Sequence, residues 1–250
     1  NCYNTGKIES SLEAGGIAAK SNDGIIKHCY NTGEIIGNNS GGMTGIMRSD
    51  STVEESYNAG LVWGNSDAGG IAGVMNGGCV TNAYNTGVVH AGDKWCDSVG
   101  GIAGSAKSDA NIKYTYNLGS ISRRNAPDSA YSSPLGMIVG YYPEKTANVT
   151  DNYVHVRANE ADFLDEEKVV IEDGQILTTK AMKQAESFVG FDFGNVWVIS
   201  ESGNYPFPQL RSVPMIEEYD CGFNVDGIHV RDLDIQMGTE FQYTKKAIEP

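Results

Sequence analysis

Short apolar positions, mostly β-branched, recur along the first 153 residues at fixed offsets from a tyrosine. The tyrosines are Tyr3, Tyr30, Tyr57, Tyr84, Tyr116 and Tyr153, spaced 27, 27, 27, 32 and 37 residues apart. Four residues before them stand Ile26, Val53, Val80, Ile112 and Val149; five residues after them stand Ile8, Ile35, Val62, Val89 and Ile121. A third set, Ile17, Met43, Ile71, Ile102 and Ile138, falls between. Gly, Asn, Ser and Thr fill the gaps. Each repeat thus predicts two or three strands too short to bury a face alone. A period of this length marks a solenoid, in which each turn buries its apolar residues on the turn before. The pattern predicts an all-β fold, a parallel β-solenoid (β-helix) of about five turns of 27–37 residues.

The polar positions repeat as strictly as the apolar ones. Each tyrosine opens a Tyr-Asn-x-Gly block, as in Tyr30-Asn31-Thr32-Gly33 and Tyr84-Asn85-Thr86-Gly87. A double-glycine block follows, as in Gly69-Gly70-Ile71-Ala72-Gly73 and Gly100-Gly101-Ile102-Ala103-Gly104. The asparagines suit a corner, where Asn and Gly tolerate positive φ, or an inward ladder of stacked amides. Both readings stand. The tyrosines Tyr30, Tyr57, Tyr84 and Tyr116 also have two readings. Exposed, they form a ladder of ring faces able to bind a ligand by stacking on sugars; buried, they are a structural stack. Thr5, Thr32 and Thr86 do not form an ice-binding row, because Ala59 and Leu118 interrupt it.

After Tyr153 the period is lost. Residues 154–212 read as a C-terminal cap over the open last turn, with a short helix from Thr179 to Phe188 capped by Thr179. Phe191, Phe193, Trp197, Tyr205 and Phe207 make this stretch dense in aromatic residues. From Val213 onward, with Pro214 as a boundary, residues 213–250 read as the start of a further β-rich region. The chain opens without Met and inside a repeat block, which is expected of a piece of a longer protein.

Charge narrows the partners. The net charge is −14. Residues 1–153 carry 10 Lys/Arg against 14 Asp/Glu, and residues 154–250 carry 8 against 18, so the halves contribute −4 and −10. An acidic chain lacks the basic footprint that nucleic acid requires, and no apolar run predicts insertion into a membrane. The five cysteines match no zinc spacing. Cys2 and Cys29 share one slot with Ser56 and Ala83, which reads as a pair of small fillers or a disulfide between neighbouring turns.

The two alternating blocks resemble the GLUG-type repeats of bacterial surface proteins over residues 1–153. Thr178 to Lys183, followed by Phe191-Asp192-Phe193, Val196-Trp197 and Tyr205-Pro206, resembles the segment that closes such arrays. The resemblance implies an exported, adhesin-like protein at the bacterial cell surface, partnered by a host or microbial glycan or protein, or acting as a spacer. Similar repeats accompany immunoglobulin A-specific metallopeptidases; this chain has no His-Glu-x-x-His. No cofactor is implied, and no functional residues transfer.

Chemistry has few footholds. His90 with Asp93, Cys96 and Asp97 lacks metal-ligand spacing, and Asp232-Leu233-Asp234 lacks the rest of a calcium loop. The alternative to a non-catalytic module is a polysaccharide-degrading enzyme. Its charges would be Asp93, Lys94 and Asp97 in one inserted loop, with Arg123 and Arg124 in the next.

Overall fold

Like residues lie over like residues throughout the stack. Parallel pairing sets Ile26 beside Val53, Val53 beside Val80, Val80 beside Ile112 and Ile112 beside Val149. Ile8, Ile35, Val62, Val89 and Ile121 form a second column in the same way. Backbone hydrogen bonds join Ile17, Met43, Ile71, Ile102 and Ile138 from coil to coil, completing the third. The computed structural model describes residues 1–92, 98–123, 135–141, 147–155, 169–170, 174–200 and 205–215. It is a parallel β-solenoid, as the repeat predicts.

Among the described residues, three parallel sheets of nine, nine and five strands run along the stack. The first carries the tyrosines, on strands such as Thr52–Asn58, Cys79–Asn85 and Asn111–Asn117. The second holds Ile35–Gly41 and Val62–Gly69, and the third holds Thr44–Arg48, Ala72–Asn76 and Ala103–Lys107. The tube between them is filled by the apolar columns, with Met47 and Met75 in register and buried.

A kink turns the tyrosines away from this tube. From Tyr30 onward the residue two before each ladder tyrosine has positive φ: His28, Glu55, Asn82, Tyr114 and Asp151. A left-handed residue breaks the alternation of a strand. Val80 and Ala83 therefore both join the core, while Tyr84 joins a separate cluster outside. The next slot, that of Cys29 and Ser56, repairs the hydrogen bonding at the kink. Ser56 Oγ accepts from the Cys29 N–H at 3.1 Å and donates to the Glu54 carbonyl at 2.8 Å. Cys29 fills the slot as a thiol; it and Cys2 are not bonded to each other.

The asparagines point inward as a ladder; the outward corner with positive φ is not formed, since neither they nor their block glycines have positive φ. Asn4, Asn31, Asn58, Asn85 and Asn117 form one amide ladder, each Nδ2 donating to the next Oδ1 at 2.7–2.8 Å. Each also closes its own corner. Asn58 Oδ1 accepts from the Gly60 N–H at 3.2 Å while Nδ2 donates to the Gly60 carbonyl at 3.0 Å. The second glycine of each pair makes room for this ladder. A Cβ on Gly70 would sit 2.4 Å from the Asn85 side chain and 2.2 Å from the Gly101 carbonyl, and Gly42 faces Asn58 in the same way.

Two boundaries differ from the sequence expectation. Parallel pairing continues past Tyr153: Val169–Val170 joins Leu135–Gly136, and Gln175–Leu177 joins Tyr153–His155. The spacing had hidden this coil, because it keeps the pairing and loses the motif. The helix is shorter than expected, Thr179–Met182, followed by a 3-10 turn at Ala185–Ser187. Its cap is Thr178, whose Oγ1 accepts from Ala181 N–H; Thr179 Oγ1 lies 2.8 Å from His155 Nε2 instead.

The ladder and its glycines should carry stability. Asn85→Ala strands the Asn58 amide and the Gly87 backbone groups, and is expected to cost about 2–4 kcal/mol, since each orphaned buried group costs about 1–3. Gly70→Ala should cost about 1–3 kcal/mol by overpacking. Urea denaturation followed by far-UV dichroism checks both; a midpoint unchanged for Asn85→Ala would show the ladder idle.

Candidate functional site

The outer side of the tyrosine sheet is the most organised surface of the chain. Tyr3, Tyr30, Tyr57, Tyr84 and Tyr116 stack face to face, with ring centroids 4.9–5.4 Å apart and planes within 11° of parallel. Strand spacing alone brings equivalent rings to stacking distance.

Residues 178–215 do not sit on the end of the tube. The described parts, 178–200 and 205–215, lie against its side and cover the tyrosines as a clasp. Met182, Phe188, Phe191, Trp197, Tyr205, Phe207, Leu210, Val213 and Met215 are buried with Tyr57, Tyr84, Tyr116 and Tyr153 in one cluster. Burial of Val213 and Met215 carries the clasp beyond the boundary expected at Pro214. Aromatic density marked the segment as a cover in the sequence; it did not mark which surface is covered.

Local structure sets the clasp's shape. Asp192 Oδ1 accepts from the Gly194 and Asn195 N–H groups at 2.9 and 3.0 Å, and Oδ2 accepts from Asn195 Nδ2. The Asn195 side-chain amide, with these backbone donors, holds the Asp192 carboxyl below the ordinary range. That turn feeds a ribbon in which Trp197–Val198 pairs antiparallel with Gln209–Leu210. Arg211 Nη2 ties the ribbon to the Phe193 carbonyl at 2.9 Å.

Polar contacts pin the clasp rung by rung. The Tyr153 hydroxyl accepts from the Val189 N–H at 2.7 Å. The Tyr116 hydroxyl donates to the Pro208 carbonyl and lies 2.8 Å from the Tyr205 hydroxyl. Trp197 Nε1 donates to Asn82 Oδ1 at 3.0 Å, and its indole lies 6.0 Å from Tyr84 and 5.8 Å from Tyr116. Phe191 meets Tyr114 edge-on, beside Gly190 at φ +83°, where a Cβ would strike the Tyr114 ring. Farthest along, the clasp brings Ser212 near the Glu55 carboxylate. Burial pushes the Glu55 carboxyl up, but Ser212 and Lys27, with His28 nearby, hold it below the ordinary range. Lys27 Nζ lies 3.0 Å from Glu54 and 3.3 Å from Glu55.

The ligand-stacking reading is therefore corrected for three of its four residues. Tyr57, Tyr84 and Tyr116 are fully buried under the clasp and offer no ring face. Tyr30 is half-buried, and Tyr3, beyond it, is 66% exposed. What the sequence reading missed is the kinked column, whose Asn82 and Tyr114 add a hydrogen bond and a ring contact to the clasp. Polar or aromatic residues always two before the tyrosine were its only signal.

The charges of the enzymatic alternative can be placed only in part. Asp93, Lys94, Cys96, Asp97 and Arg124, and Asp232 and Asp234, fall outside the described residues. His90 is on the second sheet, its ring 4.2 Å from Trp63 and its Nδ1 2.7 Å from Ser122 Oγ. Among the described residues no group of three or more His, Cys, Asp or Glu converges on a metal-sized site, and no helix is long and apolar enough to cross a membrane.

Neither family models nor curated proteins match the chain. Among solved structures it is similar to a Bacteroides ovatus protein provisionally described as an immunoglobulin A1 protease. The two are 23% identical, with a TM-score of 0.60, over 84% of this chain and 68% of the other. Likeness at this identity shows a shared solenoid fold and nothing of its chemistry.

Two outcomes test the clasp. Trp197→Ala should cost about 3–5 kcal/mol and make residues 178–215 the first site of limited proteolysis; a variant as resistant as the parent would show the indole is not the anchor. Acid should weaken the latch. A carboxyl held low when folded stabilises above its ordinary range and loses that contribution as pH falls through the lowered value. The gap in melting temperature between the parent and Glu55→Gln should thus narrow as pH falls from neutrality.

Proposed function

We propose that the chain is a non-catalytic module of an extracellular bacterial surface protein of the GLUG-repeat, adhesin-like kind, extending and presenting a binding surface. One observation carries this reading: the repeated polar and aromatic side chains are consumed by the fold. The asparagines hydrogen-bond one another, and Tyr57, Tyr84 and Tyr116 are sealed by the clasp. A tube that uses its repeats to hold its own length is suited to spacing and display. The alternating Tyr-Asn-x-Gly and double-glycine blocks support the family reading, and host or microbial glycans or proteins are the partners it implies.

A second reading is favoured by the structural neighbour. There the chain is a non-catalytic part of a larger immunoglobulin A1-cleaving protein, holding the antibody while chemistry happens elsewhere. A polysaccharide-degrading enzyme built on Asp93, Asp97 and the two arginines is the third.

A glycan and host-matrix array that includes immunoglobulin A1 separates these. The surface-module reading expects a hit on a glycan or matrix protein at millimolar ligand or better; a blank array reduces the chain to a spacer. Antibody captured without cleavage favours the second reading. Polysaccharide turnover that Asp93→Ala or Asp97→Ala abolishes overturns the non-catalytic assignment.

A further inference from the structure

We propose that Cys2 and Cys29 are the two halves of a covalent clip: oxidation joins them in a disulfide that bolts one coil of the solenoid to the next. Such a bond persists in an oxidising compartment. Its presence in the native protein therefore rests on the extracellular reading above, while the capacity to form it does not.

The two cysteines face each other across neighbouring coils, and the residues that follow them pair in register, Tyr3 with Tyr30 and Asn4 with Asn31. Contacts on either side fix the separation of the coils here. The Tyr30 N–H donates to the Cys2 carbonyl at 3.2 Å. Asn4 Nδ2 donates to Asn31 Oδ1 at 2.8 Å, and the rings of Tyr3 and Tyr30 stack 5.1 Å apart. Parallel neighbours lie about 4.8 Å apart, inside the Cα separation of roughly 4.4–6.8 Å that a disulfide spans. The Cys29 sulfur already reaches across, accepting from the Cys2 N–H at 3.3 Å. That nitrogen shares its Cα with Cys2 Cβ, so the sulfur stands beside the side chain it would bond.

The slot itself suits oxygen better than sulfur. One coil further on, Ser56 Oγ accepts from the Cys29 N–H at 3.1 Å and donates to the Glu54 carbonyl at 2.8 Å. Cys29 makes the same two hydrogen bonds through sulfur, its donation reaching the Lys27 carbonyl at 3.2 Å. A thiol is the weaker partner in both. Ala83 and Thr115 fill the slot in later coils. Hydrogen bonding therefore does not call for cysteine at two successive coils; what sulfur adds is oxidation. Cys79, the other described cysteine, belongs to a different column, set between Thr52 and Asn111.

A small disulfide such as oxidised glutathione supplies the oxidising equivalents. One cysteine thiolate attacks it, forming a mixed disulfide and releasing one glutathione thiolate. The other cysteine thiolate attacks the protein sulfur of that mixed disulfide and releases the second. The two thiol protons pass to the two released thiolates. Two protein thiols and one oxidised glutathione thus become one protein disulfide and two reduced glutathiones.

The test unfolds the intact chain in urea with reductant and refolds it in a glutathione redox buffer, so that closure does not depend on access to the folded coils. Alkylation, digestion and mass spectrometry then map the bonds. A Cys2–Cys29 linked peptide is expected, lighter than its two parts by two hydrogens, split by reductant and absent from Cys29→Ser. Ser56 shows that serine fits the slot. Cys29→Ser should therefore keep the urea midpoint of the reduced parent while losing the rise that oxidation gives the parent. Recovery of Cys2 and Cys29 as free thiols, or joined to Cys79, Cys96, Cys221 or glutathione, would overturn the clip and leave the surface-module reading intact. The linked peptide would uphold the clip whatever the glycan array returns.

Discussion

The constraint on which the structure depends is the buried amide ladder. A hydrophobic column tolerates small slips along or across the stack, because apolar contact has no direction. A chain of amides does not. Each asparagine must place Nδ2 against the next Oδ1 while holding its own corner glycine, and a one-residue slip would orphan several buried groups at once. The ladder therefore converts loose stacking into one register. Its demand for space explains the second glycine of each pair, where a side chain would strike the Asn column, while the first lies against backbone.

Fixed register has a consequence on the outer face. Because the coils cannot slide, the tyrosines rise at the strand repeat and their rings stack. A flat aromatic stripe of this length exposed to water would invite association. The clasp removes most of it. That cover works only because the rungs below are in register: Trp197, Pro208 and Val189 each need their partner at a set height on the stack. The sealed surface thus depends on the hidden ladder, although none of the clasp contacts just named involves a ladder amide.

Much of this was legible in the sequence. Val53, Val80 and Ile112 fall at one offset from tyrosine, and that offset alone predicts their column. The inward turn of Asn58 was not decidable, because an Asn-x-Gly corner has the same letters whether its amide faces water or core. The direction of Tyr84 depends on the left-handed residue Asn82, and left-handed φ at a non-glycine leaves little trace in composition. The clasp was legible as an aromatic cover but not in its placement. Nothing in Trp197 or Tyr205 says which surface they meet until the kink has turned the tyrosines outward. The coil after Tyr153 escaped notice for a related reason. Gln175–Leu177 keeps backbone pairing while its side chains abandon the motif, and parallel pairing by itself writes no letters.

The repeats also show where such a fold can change without cost. Asn58 to Asn85 spans 27 residues and Asn85 to Asn117 spans 32, yet both amide–amide hydrogen bonds are 2.8 Å. The extra residues between Gly87 and Gly100 are absorbed away from the ladder, since the strands on either side keep register: Val89 with Val62, and Ser98 with Asp67. Length is thus free to vary on the second sheet and not at the corner or on the tyrosine face. The clasp imposes the opposite rule. Among the described residues it is buried with Tyr57, Tyr84, Tyr116 and Tyr153 in one cluster, so the rungs beneath it must keep their spacing.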